Sequence, residues 1–455
     1  MKVLLNPILL SLLFAVVTIA CLIFINAIGR RKIESNLVNL EQSFTFGFLT
    51  LLLVGDDRSY IGNLSVQYLG THAGNRNASL YIILQLVIYA VVIFFLRSRS
   101  HYLAKAIGFL LRDPFLVGLL ILGVLSSFWS ETPFDTFKAS LVLIGLAIYA
   151  SIIAVRCNLQ ELTKYLREFG TWIAVASALI QIFLPSISGN SKDSWQGITG
   201  HPNVLGAVMA LNTVLWWLNA VDRPKQRWVS VTLAIGSFIV MLLTNSSGSK
   251  VILVVLVSLS ILFRSLKQLR FRQAATAFVF FLMLVIPLSL VILGNMDAIF
   301  GSLGKDKNLT GRGEFWPDLI AAIDRRLWLG YGYQGFWQSW RGAENPAAHI
   351  RTPYFIPTHS HNGFFELALA LGLVGVILFS LSFFRNTIYV FLIMSFSKPS
   401  EVENSLLLLT YLICSNLSES GLWATGYHPF LYILLSVRHG VEVAKGNISS
   451  KSIPP

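Results

Sequence analysis

Apolar runs recur along the whole chain, each bounded by polar or basic residues. Most approach the roughly 20 residues that a helix needs to cross about 30 Å of hydrocarbon. The pattern predicts spans at about residues 3 to 27, 43 to 55, 80 to 96, 115 to 130, 139 to 155, 170 to 186, 203 to 220, 228 to 244, 250 to 263, 275 to 293, 362 to 384, 404 to 418 and 426 to 437. That gives about 12 to 13 crossings, the lower number if the first or second segment is a half-membrane element. The first run, Val3 to Ala27, has the look of a signal peptide but lacks a small-residue cleavage site and is followed by many more spans, so it is kept as a span. The stretch 386 to 397 is too short to cross between Arg385 and Lys398 and is expected to lie at the interface.

Composition agrees with this pattern. Of 455 residues, 55% are hydrophobic and only 13% are charged, with a mean hydropathy of +0.66. A soluble protein needs more polar surface than that to cover a core. Cys21, Cys157 and Cys414 are scattered through or beside apolar segments with no pair at ligand spacing, so neither a disulfide framework nor a zinc site is expected.

Charge orients the bundle. The formal net charge is +13, but the basic residues cluster at every second connection: Arg30 to Lys32, Arg97 to Arg112, Arg156 to Arg167, Arg223 to Arg227, Arg264 to Arg272, Arg385 to Lys398 and Arg438 to Lys451. These are the cytoplasmic faces by the positive-inside rule. The basicity therefore sets topology, and no nucleic-acid partner is expected. The chain divides into an N-terminal transmembrane bundle (1–293), a loop domain outside the cytoplasm carrying part of the active site (294–360), C-terminal transmembrane helices (361–438) and a cytoplasmic tail (439–455).

Four external connections carry unusual polar content. GITGHPN at 197–203 is a turn-rich helix entry in which Pro202 fits an early helical position and His201 and Asn203 stand beside it. NSSGSK at 245–250 is a tight polar crossover that ends on Lys250, whose charge enters an apolar helix and needs a partner or room to snorkel. Ser418 to Pro429 carries Glu419 and His428. The long connection 294–360 exceeds a simple turn and can form a small domain or lid. Within it, Gly313 to Asp324 has apolar residues at helical spacing, and Trp328, Tyr331, Tyr333, Phe336, Trp337 and Trp340 give an amphipathic aromatic run. These aromatics are either an interfacial belt or a surface for stacking on sugar rings or for lipid contact.

Two residues stand out as chemistry. His361, in THSHNGFF, lies where the long loop meets an apolar helix, and imidazole accepts a proton near neutral pH. The alternative is a hydrogen-bonded helix cap. With His359 it forms a two-histidine pair that lacks a third metal ligand. Arg312, in LTGRGEFW, offers a planar donor fork suited to phosphate between two glycines; the alternative is a salt bridge to Glu314 or Asp318.

HNGFFELALALGLVG, from His361 through Gly372 to Gly375, reproduces an HN-x(9)-G-x-x-G pattern. With SSFWSETPFDTFKAS at 126–140, GITGHPNVLGA at 197–207, TGRGEFW at 310–316 and GYGYQGFW at 330–337, the sequence resembles the O-antigen ligase and polysaccharide polymerase superfamily, specifically its exopolysaccharide polymerase-like branch. The resemblance covers most of the chain from about residue 115 to 435. It implies an all-α, GT-C-like polytopic bundle with a large periplasmic loop between late helices. It further implies a glycosyltransferase that works without metal or other cofactor on an undecaprenyl-diphosphate-linked glycan donor. The implied acceptor is a lipid-linked sugar for a polymerase, or lipid A core for a ligase. Membrane lipids and polysaccharide-assembly proteins are the further partners it implies. In that picture His361 activates the acceptor hydroxyl and Arg312 holds the departing diphosphate. Lys250, His201, Asn203, Asn362, Arg341 and Trp337 are then expected to bind substrate. Family members commonly carry an arginine near the turn where this chain has Lys250, whose point charge does not reproduce a bidentate guanidinium. The remaining expectation, from a different class, is a transporter that flips a lipid-linked glycan.

Overall fold

The computed structural model describes residues 100–183, 194–199, 201–265, 312–351, 356–424 and 426–451, with scattered positions between 273 and 288. Among them every regular element is helical. The helices are α1 (Ser100–Leu110), α2 (Pro114–Leu125), α3 (Pro133–Arg156), α4 (Leu159–Phe183), α5 (Pro202–Asp222), α6 (Arg227–Leu243), α7 (Ser247–Ser265), α8 (Arg312–Arg325), α9 (Gly363–Ile393), α10 (Pro399–Ser418) and α11 (Tyr427–Lys451). Six segments among the described residues are long and apolar enough to cross a membrane: α3, α4, α5, Pro224–Leu243, α7 and α9. A seventh arises if Tyr102–Leu110 and Pro114–Phe128, bent by 94°, form one broken span. The expected spans at 3–27, 43–55 and 80–96 and most of 275–293 lie outside the described residues.

Local chemistry explains where the helices begin. Asp113 N-caps α2, its Oδ1 accepting from the Leu116 amide at 3.1 Å, with Pro114 at the first helical position. Pro202 likewise opens α5. The sequence pattern starts a span near 170, but α4 begins at Leu159. The reason is a reciprocal capping box: the Glu161 amide donates to Asn158 Oδ1, and the Asn158 amide donates to Glu161 Oε2, both at 2.9 Å. Lys164 and Arg167, expected in a connection, therefore lie inside α4. Arg167 is buried, its guanidinium 5.2 Å from the Trp216 ring centroid.

The described residues fall into two compact units. One holds Tyr165–Ala220 and Lys225–Ser247. Its helices are joined by polar side-chain pairs in an otherwise apolar setting. Asn212 and Ser237 meet at 2.9 Å, Asn219 donates to Ser230 at 2.7 Å, and the Trp216 indole donates to Thr171 at 2.8 Å. Such small-residue hydrogen bonds contribute about 0.6 kcal/mol each in a bilayer.

The other unit holds the stretch up to Lys164, Val221–Pro224 and Gly248 onward. Here α3 packs on α11 and α1, and α9 packs on α2, α8, α10 and α11. Buried Asp113 ties three elements together. Its Oδ2 accepts from Ser382 at 2.8 Å and Ser436 at 3.0 Å and pairs with Arg385 at 3.2 Å. The fully buried Arg438 donates to the carbonyls of Ala154 and Cys157, closing the C-terminus of α3, and pairs with Glu442.

Helix α9 departs from the expected layout. It runs through Arg385 to Ile393, so most of the stretch expected to lie at the interface continues the helix. Arg385 does not end it because its charge is met inside the protein, by Asp113, by the Arg112 carbonyl at 2.7 Å and by the Tyr389 ring at 4.2 Å. The helix is instead broken at Gly372, with φ 64° and ψ −167°.

Candidate functional site

The break at Gly372 is what attaches the long loop to α9. In an unbroken helix the amides of Leu373 and Val374 would bond to the carbonyls of Leu369 and Ala370. Here a stretch of the loop is inserted between them. Leu373 donates to the Leu327 carbonyl at 2.7 Å and Val374 to the Trp328 carbonyl at 3.2 Å. The vacated carbonyls of Leu369 and Ala370 accept from the amides of Tyr331 at 2.8 Å and Gly332 at 2.9 Å. Glycines make the approach close enough: a Cβ on Gly372 would lie 2.3 Å from the Trp328 carbonyl, and one on Gly330 2.6 Å from that of Leu369. Residues 327–338 thus form turns around left-handed glycines, so the aromatic run from Trp328 to Trp337 is not helical and only Trp340 falls in a short helical turn, Ser339–Glu344.

The aromatics pack under this attachment. Phe315, Leu319, Ala322, Tyr331, Phe336, Ala347, Ile350 and Leu369 form one buried cluster. Tyr331 donates to the Ala322 carbonyl at 3.0 Å, and burial pushes its phenol above the ordinary range against the opposing charge of Arg326, 4.6 Å from its ring. Trp337 stands edge-on to Phe336 at 5.0 Å, with its indole nitrogen buried and without a hydrogen-bond partner among the described residues. Glu131 of the 126–132 connection joins both Arg326 and Arg341 at 2.8 Å, and Arg341 also donates to Gln338 at 3.0 Å. Arg341, expected to hold substrate, is therefore engaged by protein partners.

The nine residues from Gly363 to Leu371 are a short helical piece whose N-terminus carries His361. Asn362 caps it, its Oδ1 accepting from the amides of Phe364 at 2.9 Å and Phe365 at 3.2 Å. His361 itself is half-buried and left-handed, with φ 53°. Both backbone groups of the preceding residue are held: the Ser360 amide donates to Glu366 Oε2 at 3.0 Å, and the Ser360 carbonyl accepts from the Trp316 indole at 3.0 Å. The buried Ser360 hydroxyl donates to the Asn362 carbonyl at 2.7 Å and meets the Ser420 hydroxyl at 3.2 Å, joining this turn to the connection after α10. The His361 ring lies edge-on to Phe315 at 6.2 Å and places Nδ1 3.2 Å from Nε2 of His359.

Arg312 is the first residue of α8, one turn before Phe315, so the helix carrying Arg312 is also the one that touches His361. Lys250 is exposed on the first turn of α7. His201 and Asn203 belong to the other unit, where Asn203 donates its amide to His201 Nδ1 at 3.3 Å, making the ring part of the cap on α5. Sequence reasoning missed Trp316, Glu366, Ser420 and Glu131. Trp316 and Glu366 sit inside the motifs TGRGEFW and HNGFFE, so their proximity to the two sharp candidates was the available signal.

Residues 231–380 match the family model described as O-antigen ligase. Over 284 residues the chain is 24% identical to the exopolysaccharide production protein ExoQ of Rhizobium meliloti (strain 1021), covering 61% of this chain and 65% of that relative. The chain thus spans just under two thirds of the relative's length. The apolar helices make this a multi-pass membrane protein, and the matched domain includes His361, Asn362, Gly372 and Gly375. Residues 231–380 are thus similar to the O-antigen ligase family, and a longer stretch of the chain is similar to an exopolysaccharide production protein.

Proposed function

We propose that the chain is a GT-C-type glycosyltransferase of 12 to 13 spans in the bacterial inner membrane. It transfers a glycan from an undecaprenyl-diphosphate-linked donor to a sugar hydroxyl at the periplasmic face, acting as an exopolysaccharide or O-antigen polymerase. The observation that carries this reading is the setting of His361. A half-buried imidazole stands on a turn fixed from both sides, in contact with the helix that Arg312 opens.

The reaction needs three things: a base for the acceptor hydroxyl, positive charge for the leaving group and a defined approach of the two substrates. The acceptor oxygen forms a bond to the anomeric carbon while its proton passes to His361. The bond from that carbon to the diphosphate oxygen breaks, and the electron pair leaves with the phosphate. Arg312 meets the growing negative charge at the N-terminus of α8, where the helix dipole adds to it. Lys250 and Trp337 contribute charge and an aromatic surface for the donor. For Arg341 and Asn362 the hydrogen bonds favour positioning: one anchors the loop through Glu131, the other caps the helix behind His361.

Reconstitution with a lipid-linked oligosaccharide as the sole substrate tests the reading. A product ladder is expected without lipid A. Product that forms only after lipid A core is added would make the chain a ligase. Donor consumption with release of undecaprenyl diphosphate in detergent, where no transbilayer gradient exists, is expected of either enzyme and not of a transporter.

A further inference from the structure

We propose that the turn Leu327–Leu329 is a membrane-embedded wedge: its side chains lie among the acyl chains of the leaflet on the loop's side, so the long loop is fixed in the bilayer and is not an aqueous lid. The inference depends on α9 crossing the membrane and not on the transfer reaction proposed above.

The side chains are apolar and turned outward. Trp328 is 62% exposed, and Leu327 and Leu329 are exposed on either side of it. Phe128, 84% exposed, stands in the connection whose Trp129 indole donates to the Leu329 carbonyl at 3.1 Å. The apolar surface continues along the two helices that meet here, with Leu125 on α2 and Ile377 on α9 also exposed. A continuous patch of this kind marks a contact surface, and here it runs into the faces that α2 and α9 offer to lipid. The backbone meets the stricter requirement. Hydrocarbon supplies no hydrogen bonds, so a non-helical stretch at membrane depth is tolerated only where protein meets its polar groups. Four successive carbonyls of this turn are met. That of Arg326 accepts from the Gly330 amide at 2.9 Å, that of Leu327 from Leu373 at 2.7 Å, that of Trp328 from Val374 at 3.2 Å and that of Leu329 from the Trp129 indole. An exposed loop in water has no need of such complete internal pairing, because water would serve.

Helix α9 fixes the depth. Arg112 is exposed at the foot of α2, and its carbonyl accepts from Arg385 of α9 at 2.7 Å, so a charged residue marks a membrane surface at that level. The 13 residues from Leu373 to Arg385 rise about 20 Å as helix. The hydrocarbon is about 30 Å thick. The amides of Leu373 and Val374, which hold the turn, therefore lie within the hydrocarbon depth, and a tilt of α9 brings them deeper still. The charge next to the turn does not follow it inward. The Arg326 guanidinium is met by Glu131 at 2.8 Å and lies 4.6 Å from the Tyr331 ring centroid.

The test uses the full chain in nanodiscs of phosphatidylethanolamine and phosphatidylglycerol. With Cys21, Cys157 and Cys414 replaced by Ala, a spin label is attached at Trp328→Cys or at Ala343→Cys, the second an exposed position of the same loop. Oxygen concentrates in hydrocarbon and a nickel chelate stays in water, so the ratio of their collision rates with the label measures depth. The oxygen-to-nickel ratio at Trp328→Cys is expected to exceed that at Ala343→Cys several-fold. Equal access of the chelate to both labels would put the turn in water. Exclusion of both reagents from the Trp328→Cys label would put it under protein, a second copy of the chain included. Either result overturns the proposal. A second measurement leaves the turn nearly intact. In nanodiscs of lipids brominated along the acyl chains, bromine quenches an indole that it touches. The fluorescence lost on going from unbrominated to brominated lipid should be greater in the wild type than in Trp328→Phe, and equal losses would refute the wedge.

Discussion

Gly330 and Gly372 meet backbone to backbone: a Cβ on Gly330 would come within 2.7 Å of the Gly372 amide nitrogen. The contact exists because the loop has taken over two hydrogen bonds that α9 would otherwise make with itself. Gly372→Ala should cost at least about 1–2 kcal/mol from its left-handed backbone alone, before the collision with Trp328 is added. Amide exchange is the sensitive measurement. In the wild type the amides of Leu373 and Val374 are protected by the loop, so both should exchange faster in Gly330→Ala and Gly372→Ala. Unchanged protection would mean that the loop is attached elsewhere.

The two residues proposed for the transfer chemistry should fail differently. His361→Ala is expected to lose roughly 10²–10⁴-fold in kcat with donor binding retained, because the base acts only as the acceptor attacks. Arg312→Ala should weaken donor binding as well as turnover, since the diphosphate is charged before the bond breaks. Arg312→Lys separates charge from shape: it keeps the charge and removes the donor fork, and only a partial recovery is expected. Kinetics at varied donor concentration read both parameters.

Topology can be checked with single cysteines. Ala343→Cys in the loop and Gln226→Cys beside a basic cluster should react oppositely with an impermeant thiol reagent in intact cells, the first labelled and the second not. Equal labelling would overturn the orientation. Native Cys157 adds little background at neutral pH, because burial, with Glu161 nearby, pushes its thiol up to about 11 and keeps the reactive thiolate scarce.

Metal dependence offers an independent check on the chemistry. Product formation should continue at full rate in excess EDTA and should not rise with magnesium or manganese, because guanidinium charge cannot be removed by a chelator. Loss in EDTA that one divalent ion restores would return His359 to the list of ligand candidates.

Hydrophobic length and capping chemistry made much of the described fold legible. Helices stand at 114–125, 133–156, 202–222, 227–243, 247–265, 399–418 and from 427, close to the apolar runs, and Pro202 and the helical spacing of 313–324 were readable outright. Three features were not. The start of α4 depends on a four-residue cap, Asn158 to Glu161, that hydropathy does not register. The passage of α9 through Arg385 depends on Asp113, 272 positions earlier in the chain, being folded against it. The break at Gly372 looks like any small residue in an apolar run until the loop that fills it is known. For the site, the sequence singled out His361 and Arg312, whereas the groups that hold His361 in place announce themselves only through hydrogen bonds between distant segments.

The left-handed backbone of His361 has a thermodynamic consequence. Histidine visits that region more often than most residues, yet glycine reaches it without steric cost. His361→Gly keeps the turn's backbone hydrogen bonds and gives up the ring contacts with Phe315 and His359. If relief of the backbone exceeds those lost contacts, the inactive variant will melt at a higher temperature than the wild type. The residue proposed as the base would then be one the fold is more stable without, which is the mark of a position selected for chemistry against the preference of the chain.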